Sequence, residues 1–173
     1  MSEPEAMRGA DRTSDWRSLA RRAGGGREAE EPVVLWELLV LLLGDSPYAI
    51  PVERVREIVR MRPMTPIPRV PRAVRGVIAL RGEVVQVVDL RMCLGVATPE
   101  IDRRTRIIVL HGDDDRVTGI LVDAVREVVR VAEDDLRPAT GGEGDAVSEL
   151  FLSDSGFVSI LDLDRVLELR ADA

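Results

Sequence analysis

The residues able to do chemistry on their own are few. His111 sits in the turn His111-Gly112-Asp113-Asp114-Asp115, and with no second histidine in the chain it lacks the positioned partner that general-base or phosphoacceptor work needs. The aspartate run there lacks the twelve-residue calcium loop with its central glycine and closing glutamate. Cys93 lies beside Leu90 and Leu94, an apolar setting that favours burial over a reactive thiolate. Ser46, Ser148, Ser153, Ser155 and Ser159 stand outside any G-x-S-x-G elbow. One histidine and one cysteine cannot supply the three or four soft ligands of a zinc site, so none is expected. All 24 basic residues are arginine, which removes the phosphate-binding lysine of nucleotide enzymes and every Schiff-base mechanism. A carboxylate enzyme using Asp89 with Asp123 survives this elimination only if the two share a cleft with raised pKa values.

The composition narrows the classes further. Hydrophobic residues make up 45% of the 173, enough for a real core, while aromatics are only 3%. A Val/Leu/Ile core favours strands and leaves little surface for stacking bases. The net charge of -7 argues against nucleic acid as a partner. The longest apolar run, Val33 to Leu43, is interrupted only by Glu37 and falls well short of the roughly 20 residues that span a bilayer, so no membrane insertion is expected. A single thiol, and a Met1–Arg12 segment without the basic start and apolar run of a secretory signal, make the cytoplasm the expected compartment.

Residues 1–32 balance six arginines against seven acids around Gly24-Gly25-Gly26 and read as a flexible N-terminal tail. Within it Trp16, Leu19, Ala20 and Ala23 share one face of a short helix capped by Ser14, so a docking helix is the other reading. Beyond the tail the pattern is of short strands. Val33–Leu43 and Tyr48–Pro51 flank the turn Gly44–Pro47 as a hairpin, and a single helical turn from Val52 runs into a strand at Glu57–Met61. Pro63, Pro66, Pro68 and Pro71 break any ladder and mark a loop. Val77–Leu80 and Val84–Asp89 form a second hairpin, followed by a helical turn over Leu90–Gly95. Strands over Arg106–Leu110, Arg116–Val122 and Glu127–Val131 come next. A glycine-rich loop at Thr140–Gly144, strand residues Phe151 and Leu152, a strand at Phe157–Leu161 and a short C-terminal helix capped by Asp164 complete the chain. The count is ten strands, and their spacing predicts a mainly β protein of two five-stranded barrels sharing a core.

Several of these segments form a known series. Leu43–Val52 with Val55–Met61, Gly76-Val77-Ile78-Ala79-Leu80-Arg81-Gly82, Val87-Val88-Asp89-Leu90-Arg91 with Leu94-Gly95, Thr105–Val109, Gly119–Val128 and Leu161–Asp164 follow one another as in CheW-like domains, which residues 33–173 resemble. Gln86 stands where that family usually has proline and Ala124 where glycine is common. The resemblance implies two SH3-like β-barrels packed together. These divide roughly as 48–105 and 106–160, with the first strand and the C-terminal helix completing them. It also implies a non-catalytic adaptor without cofactors. Its partners would be the regulatory domain of a CheA-type histidine kinase and the cytoplasmic tip of a chemoreceptor, with recruitment to receptor arrays at the membrane. Carried over by position, the contact region falls on Val55, Glu57, Gly76, Arg81, Gly119, Val125 and Val128. The three valines read equally as core and the two glycines as backbone requirements, whereas Glu57 and Arg81 are polar enough to demand a partner. A β-barrel module binding peptides or other ligands outside chemotaxis is the second reading.

Overall fold

Apolar runs as continuous as Leu38–Leu43 have no side left for water, so their strands must be covered on both faces. A computed structural model shows how this is arranged. It describes residues 34–98, 100–112, 117–139 and 146–169. The expected tail, the Asp113–Asp115 turn and the Thr140–Gly144 loop lie outside them. Eleven strands are described: β1 (Leu35–Leu43), β2 (Ser46–Pro51), β3 (Val55–Arg60), β4 (Val74–Leu80), β5 (Glu83–Asp89), β6 (Arg106–Leu110), β7 (Val117–Val122), β8 (Ala124–Ala132), β9 (Arg137–Pro138), β10 (Val147–Ser153) and β11 (Gly156–Leu161). Two helices, α1 (Leu90–Cys93) and α2 (Leu163–Leu169), and 3-10 turns at Val52–Arg54 and Glu133–Asp135 accompany them. The strands form a six-stranded sheet A, in the order β8-β1-β2-β11-β10-β9, and a five-stranded sheet B, in the order β3-β6-β7-β5-β4. Pairing is antiparallel except for β2 with β11 and β5 with β7.

Strand alternation sorts most buried side chains into three larger cores, beside a small cluster of Ala73, Val74 and Val88. Along β1, Leu38 and Val40 enter the inner face of sheet A with Ala49, Phe151, Val158 and Ile160. Leu39, Leu41 and Leu43 point the other way, into a core they share with Ile108, Leu110, Ile120 and Val122 of sheet B. On β6 and β7 the alternate residues Ile107, Val109 and Leu121 join Ile78, Val85 and Val87 inside sheet B. One core therefore lies between the sheets, with another inside each, and this is the mainly β, SH3-like architecture expected.

The strand grouping differs from the expected division of the chain. Sheet B does not end near residue 105, because β6 pairs with β3 and β7 lies parallel to β5. The chain leaves sheet B only at Asp123, and β2 belongs with β11 in sheet A. The sheets hold six and five strands in place of five and five, since the two-residue β9 pairs with β10. The helix cap also moves. Asp162 Oδ1 accepts the backbone N–H groups of Asp164 and Arg165, both at 3.2 Å, while the Asp164 carboxylate is committed to Arg54.

No ladder joins β3 to β4 across the open side of sheet B; a shorter contact serves there. Thr65, in the proline-rich segment, exchanges both backbone hydrogen bonds with Val77 of β4, each 2.9 Å long. That approach requires Gly76, which has φ +138° and whose missing Cβ would collide with the Thr65 carbonyl oxygen. Gly119 in β7 is required by packing, because a Cβ there would lie 2.8 Å from Ile107 Cγ2 and 3.1 Å from Val85 Cγ1. Denaturant unfolding of Gly76→Ala should show a loss of about 2 kcal/mol or more, and Gly119→Ala a loss of about 1–3 kcal/mol. Wild-type stability in either variant would contradict the corresponding contact.

Candidate partner-binding surface

The most constrained polar group sits where the sheets meet. Asp89 ends β5 and caps α1, its Oδ1 accepting the Arg91 backbone N–H at 3.1 Å. The Arg91 side chain folds back on the same carboxylate in a two-pronged contact, Nε to Oδ1 at 2.8 Å and NH2 to Oδ2 at 2.7 Å. Its NH1 donates to Asp123 Oδ1 at 2.6 Å, and Asp123 Oδ2 accepts the Gly44 N–H of the β1–β2 turn at 2.6 Å. Asp89 and Arg91 are fully buried, and the Asp123 side chain is nearly so. The hydrogen bonding that Arg91 donates to Asp89, with the charge of both aspartates, raises the Arg91 pKa above its ordinary value against the opposing effect of burial. Asp89 and Asp123 are thus not a free pair of carboxylates facing a cleft, which removes the acid–base reading. Together the three side chains fasten the end of β5 to the crossover between the sheets and to the first turn of sheet A.

A second set of charges bridges the open side of sheet B. Arg81 and Gly82 connect β4 to β5 with φ of 50° and 85°, the two positive values of a type I′ turn. This turn carries Arg81 toward β3, where its NH2 lies 3.1 Å from Glu57 Oε2. Glu57 is largely covered, at 18% side-chain exposure, and Arg81 stands out at 76%. Next to them Arg56 pairs with Glu83 at 2.7 Å, and Arg62 donates to the Ala79 carbonyl of β4 at 3.2 Å. Two edges that no ladder joins are therefore linked through side chains.

The other sequence-selected residues take no part in this ion pair. Val55 and Val125 both flank the core between the sheets, one on β3 and the other on β8. Val128, also on β8, is 54% exposed. Gly119 is buried and offers no surface, and Gly76 is buried against Thr65. His111 is exposed, and Cys93 is half buried against the cores. The sequence reading missed the Arg56–Glu83 pair, whose signal was the outward position of Arg56 on β3. It also missed Leu152 and Phe157, exposed register partners in the β10–β11 hairpin. Between that hairpin and β8 an open cleft of about 1310 Å³ has Val40, Val129, Phe151 and Val158 among its lining residues.

A rigid two-sheet frame that fixes exposed side chains on its rims has the form of a scaffold that other proteins dock onto. Among the described residues no helix is long and apolar enough to cross a membrane. The CheW-like domain model matches residues 37–171. CheW of Rhizobium meliloti is 40% identical over 102 residues, covering 59% of this chain and 65% of that protein. CheW of Bacillus subtilis is 32% identical over 136 residues, covering 76% and 86%. The crystal structure of the scaffolding protein TtCheW from Thermoanaerobacter tengcongensis superposes with a TM-score of 0.71 at 27% identity, covering 78% of this chain and 94% of that one. The chain belongs to the CheW-like family, the non-catalytic adaptors that couple chemoreceptors to CheA in chemosensory arrays.

Two outcomes follow from the charges. Arg91→Ala leaves Asp89 buried without its counter-ion and should cost about 3–5 kcal/mol in denaturant unfolding, with Arg91→Lys in between because an ammonium cannot reproduce the fork. Full stability in Arg91→Ala would show that the seam tolerates the bare carboxylate. The Arg54–Asp164 pair tests pH dependence. The Arg54 hydrogen bonds, at 2.6 and 3.0 Å, hold the Asp164 pKa below the ordinary carboxylate value. The resulting stabilisation is complete above the ordinary pKa of about 3.9 and is lost as pH falls through the lowered one. Because Asp164 is 70% exposed, wild type should exceed Asp164→Asn by no more than about 1 kcal/mol at neutral pH, and the gap should close in acid. A gap that widened in acid would contradict the assignment.

Proposed function

We propose that this protein binds the regulatory domain of a CheA-type histidine kinase and the cytoplasmic tip of a chemoreceptor, and that it works from the cytoplasm on receptor arrays at the membrane. In this reading Val55, Glu57, Arg81, Val125 and Val128 supply partner contacts, while Gly76 and Gly119 act through the close packing of β4 and β7 in sheet B. The observation that carries it is the Glu57–Arg81 pair. A covered carboxylate orients a guanidinium whose remaining donors face solvent, so the fork is set in place before a partner arrives. Arginine in such a position is a frequent interface anchor.

The test separates folding from binding. As an exposed ion pair contributes only about 0–1 kcal/mol, Arg81→Ala should leave the melting temperature nearly unchanged. Its affinity for a kinase regulatory domain or a receptor-tip fragment should fall by roughly 30-fold or more, the equivalent of about 2 kcal/mol. Arg81→Lys should be impaired too. Wild-type affinity for both fragments would remove Arg81 from the surface, and thermal unfolding without selective loss of binding would make it a structural residue.

A further inference from the structure

Charge is divided unevenly between the two halves of this fold. Among the described residues, the segments that build sheet A (34–51, 123–139 and 146–169) carry four arginines against twelve carboxylates. Those that build sheet B (52–98, 100–112 and 117–122) carry twelve arginines against six. The excess on sheet B is concentrated where β3 ends and β6 begins. Arg60 and Arg106 are register partners on these strands, placing two like charges directly opposite each other. Directly opposed like charges weaken a strand pair. Arg62 follows β3, and Arg103 and Arg104 precede β6 in an exposed turn.

Among the described residues, little neutralises this corner. Arg104 pairs with Asp102 at 2.9 Å. Arg106 NH1 rests on the backbone carbonyls of Arg103 and Thr105, at 2.8 and 2.9 Å, and Arg62 on that of Ala79. Among the described residues no carboxylate forms an ion pair with Arg60, Arg62, Arg103 or Arg106. The carbonyl contacts hold two of the guanidinium groups in place without cancelling their charge.

We infer that the Arg60–Arg62–Arg103–Arg106 corner is a docking surface for an acidic protein segment, which it grips through guanidinium–carboxylate contacts. Charge complementarity requires an anionic occupant, and the rest of the molecule selects its class. The net charge of -7 repels an extended polyanion such as an anionic membrane or a long nucleic acid at long range. Base stacking has no support at the corner either, since the aromatic residues of the described chain (Trp36, Tyr48, Phe151 and Phe157) all belong to sheet A. A short carboxylate-rich segment can lie on the corner alone, and each arginine fork matches a carboxylate. The surface uses neither residue of the Glu57–Arg81 pair, and its test needs neither kinase nor receptor.

The experiment is a titration of the full chain with a hexaglutamate peptide at low ionic strength, followed by NMR at backbone and arginine Nε–H signals. Shifts should concentrate on Arg60, Arg62, Arg103 and Arg106 and fade as salt is added. The double variant Arg60→Gln with Arg106→Gln should weaken binding about tenfold while leaving the melting temperature unchanged or raised, because the opposed charges are relieved. Arg103→Gln, in an exposed turn, should weaken binding without touching the strand pair, and Arg126→Gln on β8 should have no effect. Shifts elsewhere, undiminished binding by the double variant, or a fall in its melting temperature with binding retained would overturn the inference. So would an oligothymidylate that binds as tightly as the peptide.

Discussion

Arg91 holds two aspartates at the one place where both sheets, the crossover between them and the first turn of the domain come together. Burying three charges has a large desolvation cost, so the arrangement is not chosen for stability alone. It fixes geometry. A two-pronged contact to Asp89 sets the guanidinium plane, that plane sets where Asp123 must sit, and Asp123 in turn holds the Gly44 N–H. The alternating leucines and valines would bury themselves over a range of sheet angles. A chain of short, directional hydrogen bonds restricts that range, and the rim positions inherit the restriction.

Local pattern made much of this legible. The β1 run was readable because its continuity required two covered faces, and the two hairpins announced themselves by their turns. The proline-rich loop and the helical turn after Asp89 were equally plain. Strand partnership was not readable, because β6 and β7 come after the β4–β5 hairpin yet complete its sheet and bridge it to β3, while β2 pairs with a strand more than a hundred residues later. Nothing in the residues flanking such a pairing marks its distant partner. β9 escaped because two residues, one of them proline, carry no periodicity.

The surface was legible to a different degree. Glu57 and Arg81 drew notice as the polar members of a set otherwise made of valines and glycines, and the structure brings them within 3.1 Å. The two glycines proved to be packing requirements with distinct neighbours, Thr65 for one and Ile107 with Val85 for the other. Asp123 was noted as a possible reacting group, and its role as counter-ion to Arg91, 32 residues away, could be seen only after the crossover was known.

The parallel pairing of β2 with β11 also has a consequence for biosynthesis. A ribosome makes β1 and β2 first, but the neighbour that covers the open edge of β2 is among the last segments to emerge. Sheet B, by contrast, has all its strands once Val122 has left the exit tunnel. Until the final hairpin arrives, the nascent polypeptide displays the leucine-rich β1 with an unfinished sheet beside it. Such a surface attracts unwanted strand pairing and makes the interval a natural point for chaperone attention.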